Sequence, residues 1–175
     1  MDAKLLTDKT RLQEIYDLRI TAYQYSSYSK YINKQIYPKG YSDKLDSLET
    51  TYHWIVENNQ KIIGSVRLAV IDDSGDMQEN LTGLDLPAER PFGYCGKTVV
   101  HPDFRRTKTI LQLDQVVLQF IAENAWINFG LCYVIPERIE AVKGLGFRQI
   151  GEIEYDWGNQ NRMTLGAFLL QRQNL

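Results

Sequence analysis

Apolar positions return every three or four residues between Leu12 and Tyr23, with Leu12, Ile15, Arg19, Ala22 and Tyr23 on one stripe. That spacing predicts an amphipathic helix, capped by Asp8 and ending near Ser26. The tyrosine-rich stretch from Tyr28 to Thr51 loses the period, and Pro38-Lys39-Gly40 marks a turn, so it reads as a loop with short helical turns. His53 to Glu57 and Lys61 to Ile71 then read as two strands of a hairpin closed over Asn58-Asn59. A long connection runs from Ile71 to Pro91, followed by a strand from Phe92 to His101. The next helix places Ile110, Leu113, Val116, Val117, Phe120 and Ile121 on one side. Trp126 to Val134 is apolar enough for a central strand. Pro136 opens a short helix, Glu137 to Leu145, that Gly146 stops with a left-handed cap. Arg148 to Tyr155 and Arg162 to Leu170 pair over a turn at Trp157-Gly158-Asn159. The order of parts predicts an α/β (α+β) fold: a mixed sheet with helices against it.

Composition narrows this picture. A chain of 175 residues buries a substantial core as a single domain, here taken as 1–175. The net charge of −2 argues against a nucleic-acid-binding surface. Cys95 and Cys132 sit in apolar, strand-like runs and are too few for a disulfide framework, which points to a reducing cytoplasm. No His/Cys/Asp/Glu spacing suggests a metal, and no apolar run reaches the roughly 18 residues of a membrane span.

The chemistry is concentrated between Val99 and Ile110, where an apolar strand meets a proline turn, a basic cluster and the start of a helix. A helix N-terminus carries unpaired N–H groups and partial positive charge, so it suits a phosphate. Arg105, Arg106 and Lys108 reinforce it, together with the amides of Thr107, Lys108, Thr109 and Ile110. The segment Val99-Val100-His101-Pro102-Asp103-Phe104-Arg105-Arg106 resembles the pyrophosphate loop of the GNAT superfamily of N-acyltransferases, although Lys108 and Ile110 stand where that family has glycines. Leu18-Arg19, Ile63-Gly64-Ser65-Val66-Arg67-Leu68 and Gly144-Leu145-Gly146-Phe147 resemble further landmarks of the same family, in the same order. The resemblance implies a mostly antiparallel sheet splayed in the middle between the Phe92–His101 and Trp126–Val134 strands. It also implies an acetyl- or longer acyl-coenzyme A donor, no metal, and direct transfer to a small-molecule amine.

Attack of an amine on a thioester needs a polarised carbonyl, a neutral amine and a proton for the departing thiolate. By resemblance, the backbone amides of Val99, Val100 and His101 polarise the carbonyl. The family's usual acidic tyrosine falls on Val142, and the strand before the loop has no carboxylate. His53, Tyr133 and Tyr155 are the substitutes available, each with a plain structural alternative: a satisfied core histidine, or strand tyrosines with hydrogen-bonded tips. Asp43-Lys44-Leu45-Asp46 with Arg67 also resembles the GNAT branch of homoserine-lactone and long-chain N-acyl amino acid synthases, which use acyl-carrier-protein donors. That branch has an acid three residues before a basic residue in the strand ahead of the loop; here Tyr94 precedes Lys97. Asp43 and Asp46 are expected either to pair with Arg19 or Arg67 and order an acceptor loop, or to be solvated. A noncatalytic binding module on the same scaffold is the reading from another class.

Overall fold

A computed structural model describes residues 2–73, 75, 77, 81–156 and 162–174. Helix α1 (Leu12–Tyr23) follows a 3-10 turn that Asp8 caps through its carboxylate, which accepts from the Thr10 amide at 3.0 Å. The helix stops three residues before the expected Ser26. Strands β1 (Lys4–Leu5), β2 (Thr51–Asn58), β3 (Lys61–Ile71) and β4 (Phe92–Val100) precede helix α2 (Thr109–Glu123). Strand β5 (Phe129–Val134), helix α3 (Ile139–Gly144) and strands β6 (Arg148–Asp156) and β7 (Arg162–Gln171) complete the order. The seven strands lie in the order β1-β2-β3-β4-β5-β7-β6. The β1/β2, β5/β7 and β6/β7 pairs are antiparallel, and β4 runs parallel to β5 with Gly93, Tyr94 and Cys95 opposite Gly130, Leu131 and Cys132. The mixed, mostly antiparallel sheet agrees with the sequence reading.

Three local readings need correction. The β2–β3 turn lies one residue later than expected, because Asn59 and Gln60 take the left-handed conformation (φ 49° and 66°) while Asn58 stays in the strand. A two-residue turn with both dihedrals positive matches the twist of the flanking strands. β5 begins at Phe129 and not at Trp126, whose half-exposed ring is held by a bond from its Nε1 to Asn124 Oδ1. The two-residue strand β1 carries no periodic signal. The expected Trp157-Gly158-Asn159 turn lies outside the described residues.

The chain forms two compact units. The first, Met1–Leu68 with Lys97–Val117, packs Ile15, Leu18 and Ala22 of α1 against Ile55, Ile62 and Val99. Ile15 and Ala22 lie on the stripe the helical period predicts, with Leu12 and Tyr23 packed beside them, while Leu18 widens it. This buried face is the one from which Arg19 enters the interior. The second, Ala69–Gly96 with Leu118–Leu175, gathers Ile153, Leu165 and Ala167 with Leu84, Tyr133 and Tyr155. In this unit Arg172 donates to the backbone carbonyls of Ile121, Ala122, Asn124 and Ile127, at and just beyond the C-terminus of α2. Gly146, at φ 92°, ends α3 as a left-handed cap. Among the described residues no helix is long and apolar enough to cross a membrane.

Candidate functional site

The first unit contains both the basic loop and a buried network of charges. In the loop, His101 accepts from the Asp103 amide through Nδ1 and Pro102 opens a 3-10 turn ending at Phe104, so the chain reverses before α2. Thr107 Oγ1 lies 2.7 Å from Thr109 Oγ1 and accepts from the Thr109 amide, which sets the first turn of α2. That turn sits close to β3 because residue 64 is glycine: a Cβ there would lie 2.6 Å from Thr109 Cγ2 and 3.2 Å from Leu113 Cδ1. Gly64→Ala is therefore expected to destabilise the protein by about 1–3 kcal/mol through overpacking, with a fall in Tm of roughly 2–4 °C per kcal/mol. Adding Thr109→Ser, which removes Cγ2 and keeps the hydroxyl, should restore part of the loss in a thermal melt; no recovery would place the strain elsewhere.

The basic residues separate into two kinds. Arg105 donates to the Ala22 carbonyl at 2.5 Å and to the Tyr25 carbonyl at 3.2 Å, so it ties the loop to the end of α1. Arg106 and Lys108 are exposed and have no ion pair or hydrogen-bond partner among the described side chains. The loop cations open to an incoming anion are thus Arg106 and Lys108, beside the amides of Lys108 and Ile110; the expected Thr107 and Thr109 amides are committed to the Phe104 carbonyl at 3.1 Å and to Thr107 Oγ1 at 3.3 Å. The His101 amide donates to the Ile63 carbonyl at 2.7 Å, so it is committed to the sheet and is not a spare donor for a thioester carbonyl. Val99 and Val100 are buried at the end of β4.

The charge network is built by α1, the 43–47 turn, β2, β3 and β4. Arg19 forms a bidentate pair with Asp46 at 2.8 and 2.9 Å and also donates to the Tyr41 carbonyl. Arg67 reaches Asp43 Oδ1 at 2.5 Å and Asp46 Oδ1 at 3.2 Å. Asp43 caps the turn through the Leu45 amide, while Asp46 accepts from the Asp43 amide in return, a reciprocal capping box. Lys97 stands 3.2 Å from Asp43 Oδ2 and donates to the Tyr41 hydroxyl at 2.5 Å. The expected pairing of Asp43 and Asp46 with Arg19 and Arg67 is therefore present, and the solvated alternative is not.

Burial alone pushes both carboxyl groups up, yet the cations outweigh it: Arg19 and Arg67 hold Asp46 well below the carboxylate range, and Lys97 and Arg67 hold Asp43 below it. Burial, then Arg19, pushes His53 down to about 4, so its ring is neutral near pH 7. His53 Nε2 lies 3.3 Å from the Asp46 carbonyl, and Nδ1 has no partner among the described residues. Burial pushes Lys97 down to about 8, with Asp43 resisting the shift.

The structure does not bring the three candidate proton carriers together in one unit. His53 belongs to the first, at the charge network. Tyr133 and Tyr155 belong to the second, where both pack against the Ile153–Leu165–Ala167 cluster and Tyr133 meets the Tyr94 ring at 5.4 Å. Val142 is buried. Sequence reasoning met Lys97 only as the basic residue of the synthase-branch pattern and gave Tyr41 no role. A usable signal was present, because Lys97 is the one charged residue between Phe92 and Val100.

Residues 14–166 match the family described as N-acyl amino acid synthase FeeM. No curated protein matches the chain by sequence. Among solved structures, FeeM, an N-acyl amino acid synthase from uncultured soil microbes, superposes with a TM-score of 0.69 at 14% identity, covering 98% of this chain and 90% of that one. Escherichia coli ElaA gives 0.67 at 12% identity, covering 98% and 100%. BjaI, a CoA-dependent acyl-homoserine lactone synthase solved with SAM and isopentyl-CoA, gives 0.69 at 15% identity, covering 95% and 79%. These structures share the fold, and the family match spans most of the sequence; the chain belongs to the N-acyl amino acid synthase FeeM family and is a GNAT-type N-acyltransferase.

Proposed function

We propose that this chain transfers an acyl group from an acyl-coenzyme A thioester to the amine of a small amino acid, without a covalent enzyme intermediate. The observation that carries the reading is the pairing, within one unit, of an open cationic loop at the start of a 15-residue helix with a buried charge network on the strand that feeds it. Arg106, Lys108 and the amides of Lys108 and Ile110 would take the donor's pyrophosphate. In the transfer, the amine nitrogen bonds to the thioester carbon, the C–S bond breaks, and the amine's surplus proton ends on the thiolate or solvent. Positioning and backbone polarisation supply several kcal/mol of such a barrier without a dedicated acid. This suits a chain whose usual acid position holds Val142 and whose His53 is locked against Asp46.

An acyl-carrier-protein donor is the second reading. The exposed Leu111 on α2, close in sequence to Arg106 and Lys108, offers the mixed apolar and cationic surface that an acidic carrier would meet. The test is release of free thiol from acetyl-, octanoyl- and palmitoyl-coenzyme A and from the matching acyl-carrier proteins, each with a panel of amino acids. Turnover with coenzyme A donors supports the first reading, and turnover confined to carrier-protein donors transfers it to the second. Donor binding with no turnover in any combination would leave only a binding module.

A further inference from the structure

We propose that Lys97 reads the carboxylate of the acceptor; the assignment rests on the acyl-transfer reading above and adds to it the residue that selects amino acids over plain amines. The first ground is charge balance. Arg19, Arg67 and Lys97 face Asp43 and Asp46, and His53 is neutral, so among the described residues the network holds one more cation than anion. A buried charge without a counter-charge is costly, and an incoming carboxylate supplies it.

The second ground is access. The side chains of Arg19, Asp46 and Arg67 are at most 1% exposed, whereas those of Asp43 and Lys97 are 10% and 11% exposed, so the network opens outward at this pair. Asp46 is already saturated by a bidentate guanidinium, a second guanidinium and an amide. Among the described residues Lys97 has two oxygen partners, Asp43 Oδ2 and Tyr41 Oη, for the three donors of an ammonium, which also lies 4.0 Å from the centre of the Tyr41 ring. One N–H therefore has no oxygen partner among the described residues and is left for a ligand. Asp43 beside it disfavours a doubly charged phosphate and tolerates a single carboxylate.

The third ground is the backbone. Lys97 adopts φ 55° within β4, a left-handed conformation that costs a non-glycine residue about 1 kcal/mol or more and persists where surrounding structure demands it. The same strand delivers the basic loop four residues later, about 13 Å along. One strand then carries the group that reads the acceptor and leads into the group that reads the donor.

The groups facing Lys97 are Asp43 and Tyr41 from the 41–47 segment, Asp46 from the same turn, Arg67 from β3 and Arg19 from α1. With an ammonium that loses its proton near pH 8, carboxylate recognition weakens above that pH and the KM of an amino acid rises, while that of a plain amine does not. Matched pairs give the test: phenylalanine with phenethylamine, tyrosine with tyramine, and leucine with isoamylamine, each acylated by the whole protein. The parent is expected to favour the amino acid by at least tenfold in kcat/KM, which is about 1.4 kcal/mol. Lys97→Met should cut that preference to threefold or less by raising KM for the amino acid, and Lys97→Arg should restore it. Lys97→Gln, which keeps a hydrogen bond to Asp43, is the companion variant if methionine disturbs folding. Equal use of both partners by the parent, or a preference that survives in Lys97→Met and Lys97→Gln, overturns the assignment and leaves acyl transfer standing. Acylation of neither partner by any donor overturns both.

Discussion

Asp46→Asn is expected to lower the unfolding free energy by about 3–5 kcal/mol, the range for removing one partner of a buried ion pair, and so to consume a large part of a typical total of roughly 5–15 kcal/mol. The substitution keeps the shape of the side chain. It removes the charge that neutralises Arg19 in a bidentate pair and supports Arg67 at 3.2 Å, with all three side chains at most 1% exposed. Three buried cations would then face Asp43 alone. The check is urea unfolding with an unchanged m-value. Arg19→Met combined with Asp46→Asn should recover part of the loss, since the double variant no longer buries the orphaned guanidinium; pairs in contact couple by about 0.5–3 kcal/mol. A loss below about 1 kcal/mol in the single variant would show that the network is solvated.

The same groups set the pH dependence of stability. Asp46 and His53 both have folded pKa values below their unfolded ones, so in each window the unfolded chain binds more protons and stability falls as pH falls. For His53 the window runs from 6.5 down to about 4; for Asp46 it begins near 3.8 and extends below. Lys97, lowered from 10.5 to about 8, works in the same direction at the alkaline end, favouring the fold as pH rises between those values. An isolated buried network of this kind is weak evidence for net stabilisation, because packed apolar side chains often do as well. The cation left uncompensated among the described residues is what points to a ligand.

The architecture was legible where a period was long. The α1 and α2 stripes, the β2–β3 and β6–β7 pairings and the Gly146 cap followed from spacing and turn chemistry. The partnership of Asp43 and Asp46 with Arg19 and Arg67 stayed open in the sequence against solvated carboxylates, and burial decided it. Tertiary choices were not legible. Arg105 looked like a phosphate ligand among three cations, but the carbonyls it satisfies lie at Ala22 and Tyr25, some 80 residues earlier. His101 looked like a spare amide until β3 supplied the Ile63 carbonyl. Lys97 stood out in sequence as the one charged residue of its strand, but its left-handed dihedral and its buried partners are what tie it to the site. Each case turns on a partner distant in sequence, which no local pattern encodes.

Reversing both open cations of the loop, Arg106→Glu with Lys108→Glu, is expected to weaken coenzyme A binding by about a hundredfold, or roughly 2.8 kcal/mol. Each single reversal should cost about tenfold, since an exposed charge-assisted contact to phosphate is replaced by repulsion at a helix N-terminus. Both would meet the same pyrophosphate, so a double loss smaller than the product of the two single ones measures their coupling. Folding should be untouched because both side chains are exposed. Arg105→Glu is the contrast: it breaks the ties to Ala22 and Tyr25 and should lower Tm as well as affinity. Calorimetric titration of coenzyme A, alongside a thermal melt of each variant, separates the cases. Salt supplies a second reading, since the affinity of the parent should fall as ionic strength rises and that of the double variant should depend on it less. Unchanged affinity in a folded double variant would move the donor's phosphates away from this loop, and with them the acyl-transfer geometry proposed for the first unit.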